Sequence, residues 1–142
     1  MERVLVVAGQ DTVRRELADL IARIGGKAYE AGNIKAAIHE LMEKKDGQDS
    51  VTLAIAELEL NGESGRDFLV QLRSSLCASV PAILVAAKIE KAVVEDLIKC
   101  GVDGILCRPF SADALKAEIE KARKRREAVE LKELMQWSGM RG

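Results

Sequence analysis

The sequence predicts an α/β chain: a doubly wound, five-stranded parallel sheet with helices on both faces. Three observations predict it. Five short strand-like segments recur along the 142 residues, four of them apolar runs, and each is followed by a segment with helical spacing. The links between them are short, as parallel β–α units require. The first run, Val4-Leu5-Val6-Val7-Ala8, is continuously apolar rather than alternating, which suits a strand covered on both faces.

The elements follow in order. After the first strand, Asp11 is placed to cap a helix whose apolar stripe is Val13, Leu17, Leu20, Ile21 and Ile24. Gly25-Gly26 stops it. Lys27 to Glu30 alternates weakly and reads as a short strand near an edge. Asn33 can cap a second helix carrying Ile34, Ala37, Ile38, Leu41 and Met42, and Asp46 to Asp49 is a polar turn. Val51 to Ala56 is the third strand. Asn61-Gly62-Glu63-Ser64-Gly65 reads as a loop, with Ser64 the cap of a helix bearing Phe68, Leu69 and Leu72. Pro81 precedes the fourth strand, Ala82 to Ala87. Val93, Val94, Leu97 and Ile98 mark the fourth helix, stopped at Gly101, and Asp103 to Cys107 is the fifth strand. The fifth helix opens after Pro109 at Ser111 and carries Leu115, Ile119 and Ala122 toward the sheet. No second domain is expected before residue 122, so residues 1–122 form the domain and 123–142 a helical extension.

Composition excludes several classes. With 48% apolar and 32% charged residues the chain should fold around its own core. A net charge of -1 gives no global attraction to nucleic acid or membrane. Aromatics are 3%, so there is no stacking platform for single strands. Cys77, Cys100 and Cys107 form no CxxC unit, and with His39 the single histidine no zinc site is expected. Reduced thiols in a cytoplasmic protein are the expectation. The apolar run after Met1-Glu2-Arg3 is too short for a signal peptide or a membrane span.

The most informative stretch is Arg108-Pro109-Phe110. It ends the run Ile105-Leu106-Cys107 and precedes a helix, the place where open α/β sheets put their chemistry. A cation there faces the other strand tips: Ala8-Gly9, Glu57 and Ala86-Ala87. Only Glu57 among them carries a functional group.

Taken with Leu58 to Gly65, Pro81 to Val85 and Gly101-Val102-Asp103-Gly104-Ile105-Leu106-Cys107-Arg108-Pro109-Phe110, the pattern resembles the receiver domains of bacterial two-component response regulators over residues 3 to 122. The resemblance implies a flavodoxin-like fold with strand order 2-1-3-4-5. It also implies phosphotransfer from a histidine kinase to an Asp ending strand three. Two acidic residues after strand one would help hold Mg²⁺, a Ser or Thr would end strand four, and a Lys would end strand five. Metal and Lys offset the charge of the transferring phosphoryl group.

This sequence departs at each position. Ala8 and Gly9 stand where the acidic pair is expected, Glu57 at the acceptor, Ala86 at the hydroxyl, Arg108 at the Lys, and Ile105 at the aromatic switch. No metal and no cofactor are therefore expected. Glu57 has three readings: a catalytic acid or base without an aligned partner, an inert residue, or a fixed charge partly imitating a phosphorylated Asp. It could pair with the forked head of Arg108, or the two could be separately solvated. Cys107, in an apolar run, reads as core, and His39 as a plain surface residue.

The tail is the second informative region. Lys121 to Arg126 holds five cations in six residues, read as a solvated face or as partners of Glu127, Glu130 and Glu133. Ala128, Val129, Leu131, Leu134, Met135 and Trp137 then resume an apolar pattern. A helix from 111 to about 136 outruns its own sheet, so Leu131, Leu134, Met135 and Trp137 are candidate partner-binding residues, a homodimer being the simplest use.

The resulting expectation is a degenerate receiver that is not an enzyme. It would act in signalling through protein contacts at the fourth helix, fifth strand, fifth helix and tail, without nucleic acid or membrane. The alternative is a flavodoxin-like small-ligand binder or enzyme using the vacated pocket at the strand tips.

Overall fold

The computed structural model describes residues 1–141, and side chains through residue 137. The elements are β1 (Arg3–Val7), α1 (Asp11–Arg23), β2 (Lys27–Ala31), α2 (Ile34–Lys44), β3 (Leu53–Glu57), the short β4 (Glu59–Leu60) and β5 (Glu63–Ser64), α3 (Gly65–Arg73), β6 (Ala82–Ala86), α4 (Lys91–Lys99), β7 (Gly104–Cys107) and α5 (Ala112–Arg141). The five-stranded sheet has order β2-β1-β3-β6-β7 and every pairing in it is parallel. With the small hairpin set aside, this is the 2-1-3-4-5 order expected from the sequence.

The continuous apolar runs are explained by the two cores. Leu5 and Val7 face a layer with Ala37, Leu41, Phe68, Leu72 and Leu97. Val4 and Val6 face the other, with Leu17, Ile21, Leu115, Ile119 and Ala122. Successive strand residues point to opposite faces, so both sets must be apolar. β2 lies at the edge and keeps Lys27 and Glu30 exposed.

Caps divide the helices. Asn33 accepts from Ala36 N at 2.8 Å and Ser64 from Arg66 N at 3.1 Å, as expected. Asp11 does not cap: Gln10 holds the N-cap position without a side-chain bond, and Asp11 sits inside the first turn, paired with Arg14. An acid there still favours the helix N-terminus. The segment read as a loop is instead a hairpin, Glu59–Leu60 against Glu63–Ser64, turned at Asn61 (φ 31°) and Gly62 (φ 88°). Two positive φ values in a two-residue turn are what Asn-Gly supplies.

Cys107 is exposed rather than core, because β7 is the other edge strand. The basic run also differs from expectation. Lys121 and Lys124 are exposed, but Arg126 is buried. Its Nε donates to Asp103 Oδ1 at 3.0 Å and its Nη2 to the Gly101 carbonyl at 3.1 Å. Arg73 donates to the same Asp103 carboxylate at 2.6 Å, and Ala82 N donates at 2.9 Å. Burial first, and Arg126 second, lower the Arg73 guanidinium to about 10. Arg125 reaches the Asp103 carbonyl at 2.8 Å and Glu118 at 3.1 Å, and Arg123 pairs with Glu2. These contacts tie α5 to the base of the sheet, opposite the strand tips. From there the helix runs on to Arg141, past the expected end near 136.

Candidate functional site

The C-terminal ends of β1, β3, β6 and β7 bring Ala8, Gly9, Glu57, Ala86 and Arg108 to one crevice. Ala8 and Ala86 are buried methyl groups, and Glu57 is only 7% exposed. Arg108 Nη2 lies 3.3 Å from Glu57 Oε2, so the pair forms. Burial raises the Glu57 carboxyl above the usual glutamate value, and nearby Glu59 adds to this. Arg108 and a hydrogen bond from the Gly9 backbone oppose the rise. Ile105, on the edge strand, is half-buried.

The hairpin closes over this crevice. Asn61 Nδ2 donates to the Gly9 carbonyl at 2.9 Å, and Glu63 Oε1 accepts from Ile34 N at 3.2 Å, pinning β5 to the start of α2. Gly65 is required where α3 begins, since a Cβ there would lie 2.3 Å from the Glu57 carbonyl oxygen. Arg14 braces the other side, donating to the Ala8 carbonyl at 2.8 Å and lying 3.5 Å from Glu30. Beside these groups lies a cavity of 640 Å³ whose lining includes Gln10, Glu59, Glu63 and Lys88. Asn61, Glu63 and Arg14 were not singled out from the sequence. The Asn-Gly pair was a readable turn signal, and Asp11 with Arg14 a readable helix pair.

These residues do not fit a Mg²⁺ site. The ion needs near-octahedral oxygen ligands, including one or two available carboxylates. Position 8 offers a methyl group, and position 9 has no side chain. A Cβ at position 9 would meet Asn61 Cγ at 2.8 Å. The Glu57 carboxylate already faces a guanidinium. Among the described residues no three His, Cys, Asp or Glu side chains gather to hold a metal ion.

The tail residues lie far from this crevice. Leu131 is 58% exposed, Leu134 60%, Met135 65% and Trp137 55%. His39 is on the surface, 3.2 Å from Glu43. No helix among the described residues is long and apolar enough to cross a membrane.

The parallel order and the crevice at the strand tips define an open α/β domain of the flavodoxin-like class. Residues 4–120 match the family model described as the response regulator receiver domain, and the chain belongs to that family. It is 29% identical over 121 residues to the chemotaxis protein CheY1 of Helicobacter pylori, covering 83% of this chain and 94% of that one. It is 35% identical over 122 residues to the sensory transduction protein RegX3 of Mycolicibacterium smegmatis, covering 84% of this chain but 49% of that one. The chain thus spans nearly all of one relative and about half of the other. A solved response regulator receiver protein from Pseudomonas putida superposes with TM-score 0.74 at 26% identity, over 84% of this chain and 96% of that one. A receiver domain protein from Clostridium thermocellum, at 18% identity, shares the fold with TM-score 0.78, over 91% of this chain and 99% of that one. The protein is a response-regulator receiver domain of two-component signalling.

Proposed function

We propose that this receiver domain signals through protein–protein contacts in the cytoplasm, without phosphorylation by the usual Asp route and without enzymatic activity. The observation that carries the reading is the Glu57–Arg108 pair, 3.3 Å apart in a crevice otherwise lined at the key positions by Ala8, Gly9 and Ala86. A phosphoryl group arriving there would meet a carboxylate of the wrong length, no metal ligands and no hydroxyl. The carboxylate and guanidinium instead hold part of the charge pattern that phosphate would bring, one negative charge in place of about two. The partner surface is assigned to α4, β7 and α5, where Ile98 and Cys107 are exposed and Ile105 half-buried, and to the tail, where a second copy is the assigned occupant.

The test is incubation with acetyl phosphate and Mg²⁺ followed by intact-mass measurement. No adduct is expected. A stoichiometric phosphoryl adduct lost in Glu57→Gln would overturn the reading. The 640 Å³ cavity is the one observation favouring a small-ligand binder, and the relatives matched give that reading no support. A thermal-shift screen separates the two, since only a binder is stabilised by a metabolite.

A further inference from the structure

α5 has two working faces. At about 3.6 residues per turn, Leu115, Ile119, Ala122 and Arg126 lie on the side that meets the sheet, and all four are buried. On the opposite side lie Ala117, Lys121, Lys124, Ala128, Leu131 and Met135, and all six are exposed. Their spacing alternates four and three, the period of a helix seam packed against another helix. The seam changes character along its length. Lys121 and Lys124 make its first part basic, whereas Ala128, Leu131 and Met135 make its last part apolar. Leu134, 60% exposed, borders that apolar part on one edge.

The charges beside the apolar part identify its occupant. Glu127 borders the seam on one edge and Lys132 on the other, five residues later. In a parallel pair of identical helices these edges meet, so each Glu127 faces a Lys132 across the seam. In an antiparallel pair like edges meet, and Lys132 faces Arg125 or Lys132 of the partner subunit, a repulsion in either case. We infer that the distal part of α5 pairs with the same segment of a second copy, parallel and in register, with Glu127 of each chain against Lys132 of the partner subunit. This rests on the tail contact proposed above and adds its orientation and register.

The rest of the fold agrees. The domain body sits on the face of α5 away from the seam, so a two-fold axis running along the paired helices places the two bodies on opposite sides, without collision. The anchor at Arg126 fixes the helix before the seam becomes apolar, so its first turns need not be ordered by association. Lys121 and Lys124 repel their counterparts and end the contact on that side. The contact is therefore short, and its dimer is reversible.

The experiment is sedimentation equilibrium on the full chain and three variants: Glu127→Lys, Lys132→Glu and the double reversal. Both positions are exposed, and circular dichroism checks that helix content is unchanged. The wild type should show a concentration-dependent monomer–dimer equilibrium. Each single reversal turns two attractions into two repulsions and should raise the dissociation constant about tenfold, and the double reversal should restore it. A dimer that Lys132→Glu does not weaken, or that the double reversal does not recover, overturns the parallel register while leaving a tail dimer standing. A wild type that stays monomeric at all concentrations overturns the tail contact itself.

Discussion

Gly9→Asp should be destabilising, and Asn61 should be the reason. A Cβ at position 9 would lie 2.8 Å from Asn61 Cγ, 3.0 Å from Nδ2 and 3.1 Å from the Asn61 backbone nitrogen. Ordinary carbon contacts fall at about 3.5–4.0 Å. Rotating the Asn61 side chain relieves the first two contacts but breaks its bond to the Gly9 carbonyl. The third is backbone, so the hairpin tip must also shift by a few tenths of an ångström. Losing the hydrogen bond costs about 0.5–1.5 kcal/mol, and overpacking costs about 1–3 kcal/mol. The site is partly open to water, so the lower ends apply, and a total of about 1.5 kcal/mol is expected. Asn61→Gly alone loses only the hydrogen bond, since Gly accepts the positive φ at this turn. Combined with Gly9→Asp it should recover ~1 kcal/mol, a coupling that a double-mutant cycle in urea unfolding measures directly. The same collision governs the metal. Glu57→Asp with Ala8→Asp, Gly9→Asp and Arg108→Lys should bind Mn²⁺ poorly until Asn61→Gly is added. Glu57→Asp alone should remain inert toward acetyl phosphate. Wild-type stability in Gly9→Asp, or Mn²⁺ binding that ignores residue 61, would refute the argument.

Three other outcomes follow from the charges. Asp103→Ala leaves Arg73 and Arg126 buried without their shared anion and should cost about 3–5 kcal/mol in urea unfolding; a loss below 1 kcal/mol would deny the cluster its structural role. Glu57, being an acid whose folded pKa is raised, binds more proton folded than unfolded between its usual and raised values. Its contribution therefore falls as pH rises from the ordinary glutamate range through the raised value, and Glu57→Gln should flatten that part of the stability–pH curve. Arg126→Met should speed amide exchange in α5 beyond residue 126 while leaving β1 and β3 protected, since it removes the anchor and not the core.

The fold was legible because it rests on local signals: runs covered on both faces, Asn33 and Ser64 as caps, and Pro109 after the last strand. Two local signals were misread. Asn61-Gly62 is a hairpin turn, yet its flanking strands are two residues each, too short to show alternation. Asp11 has the composition of a cap but sits one residue too late. The basic run failed for a different reason. Arg126 looks like part of a solvated face because its anion, Asp103, lies 23 residues away on the threshold of β7, and Arg123 because its partner, Glu2, precedes β1. Only the sheet order brings them together. The crevice stood between these cases. The family resemblance placed Glu57 and Arg108 at the tips of β3 and β7, on either side of β6, but their 3.3 Å approach depends on burial and backbone geometry that no sequence spacing encodes.

These features bear on how such a domain could be regulated. A switch needs two states and an input with different affinity for them. In the proposed reading the phosphoryl input is gone. Ala86 has no hydroxyl to follow it, and Ile105 has no ring to swing. Glu57 is held by Arg108, while Asn61 and Glu63 fix the hairpin above it. What remains variable is association, because the seam of α5 stays exposed in the single chain. A paired state is then populated by concentration rather than by covalent chemistry, through mass action alone. Under that logic, Glu57→Gln should leave the dimer dissociation constant within about twofold of wild type, since the crevice and the seam share no residue. A large change would show that the two ends of the domain are coupled and that the crevice retains a signalling role of its own.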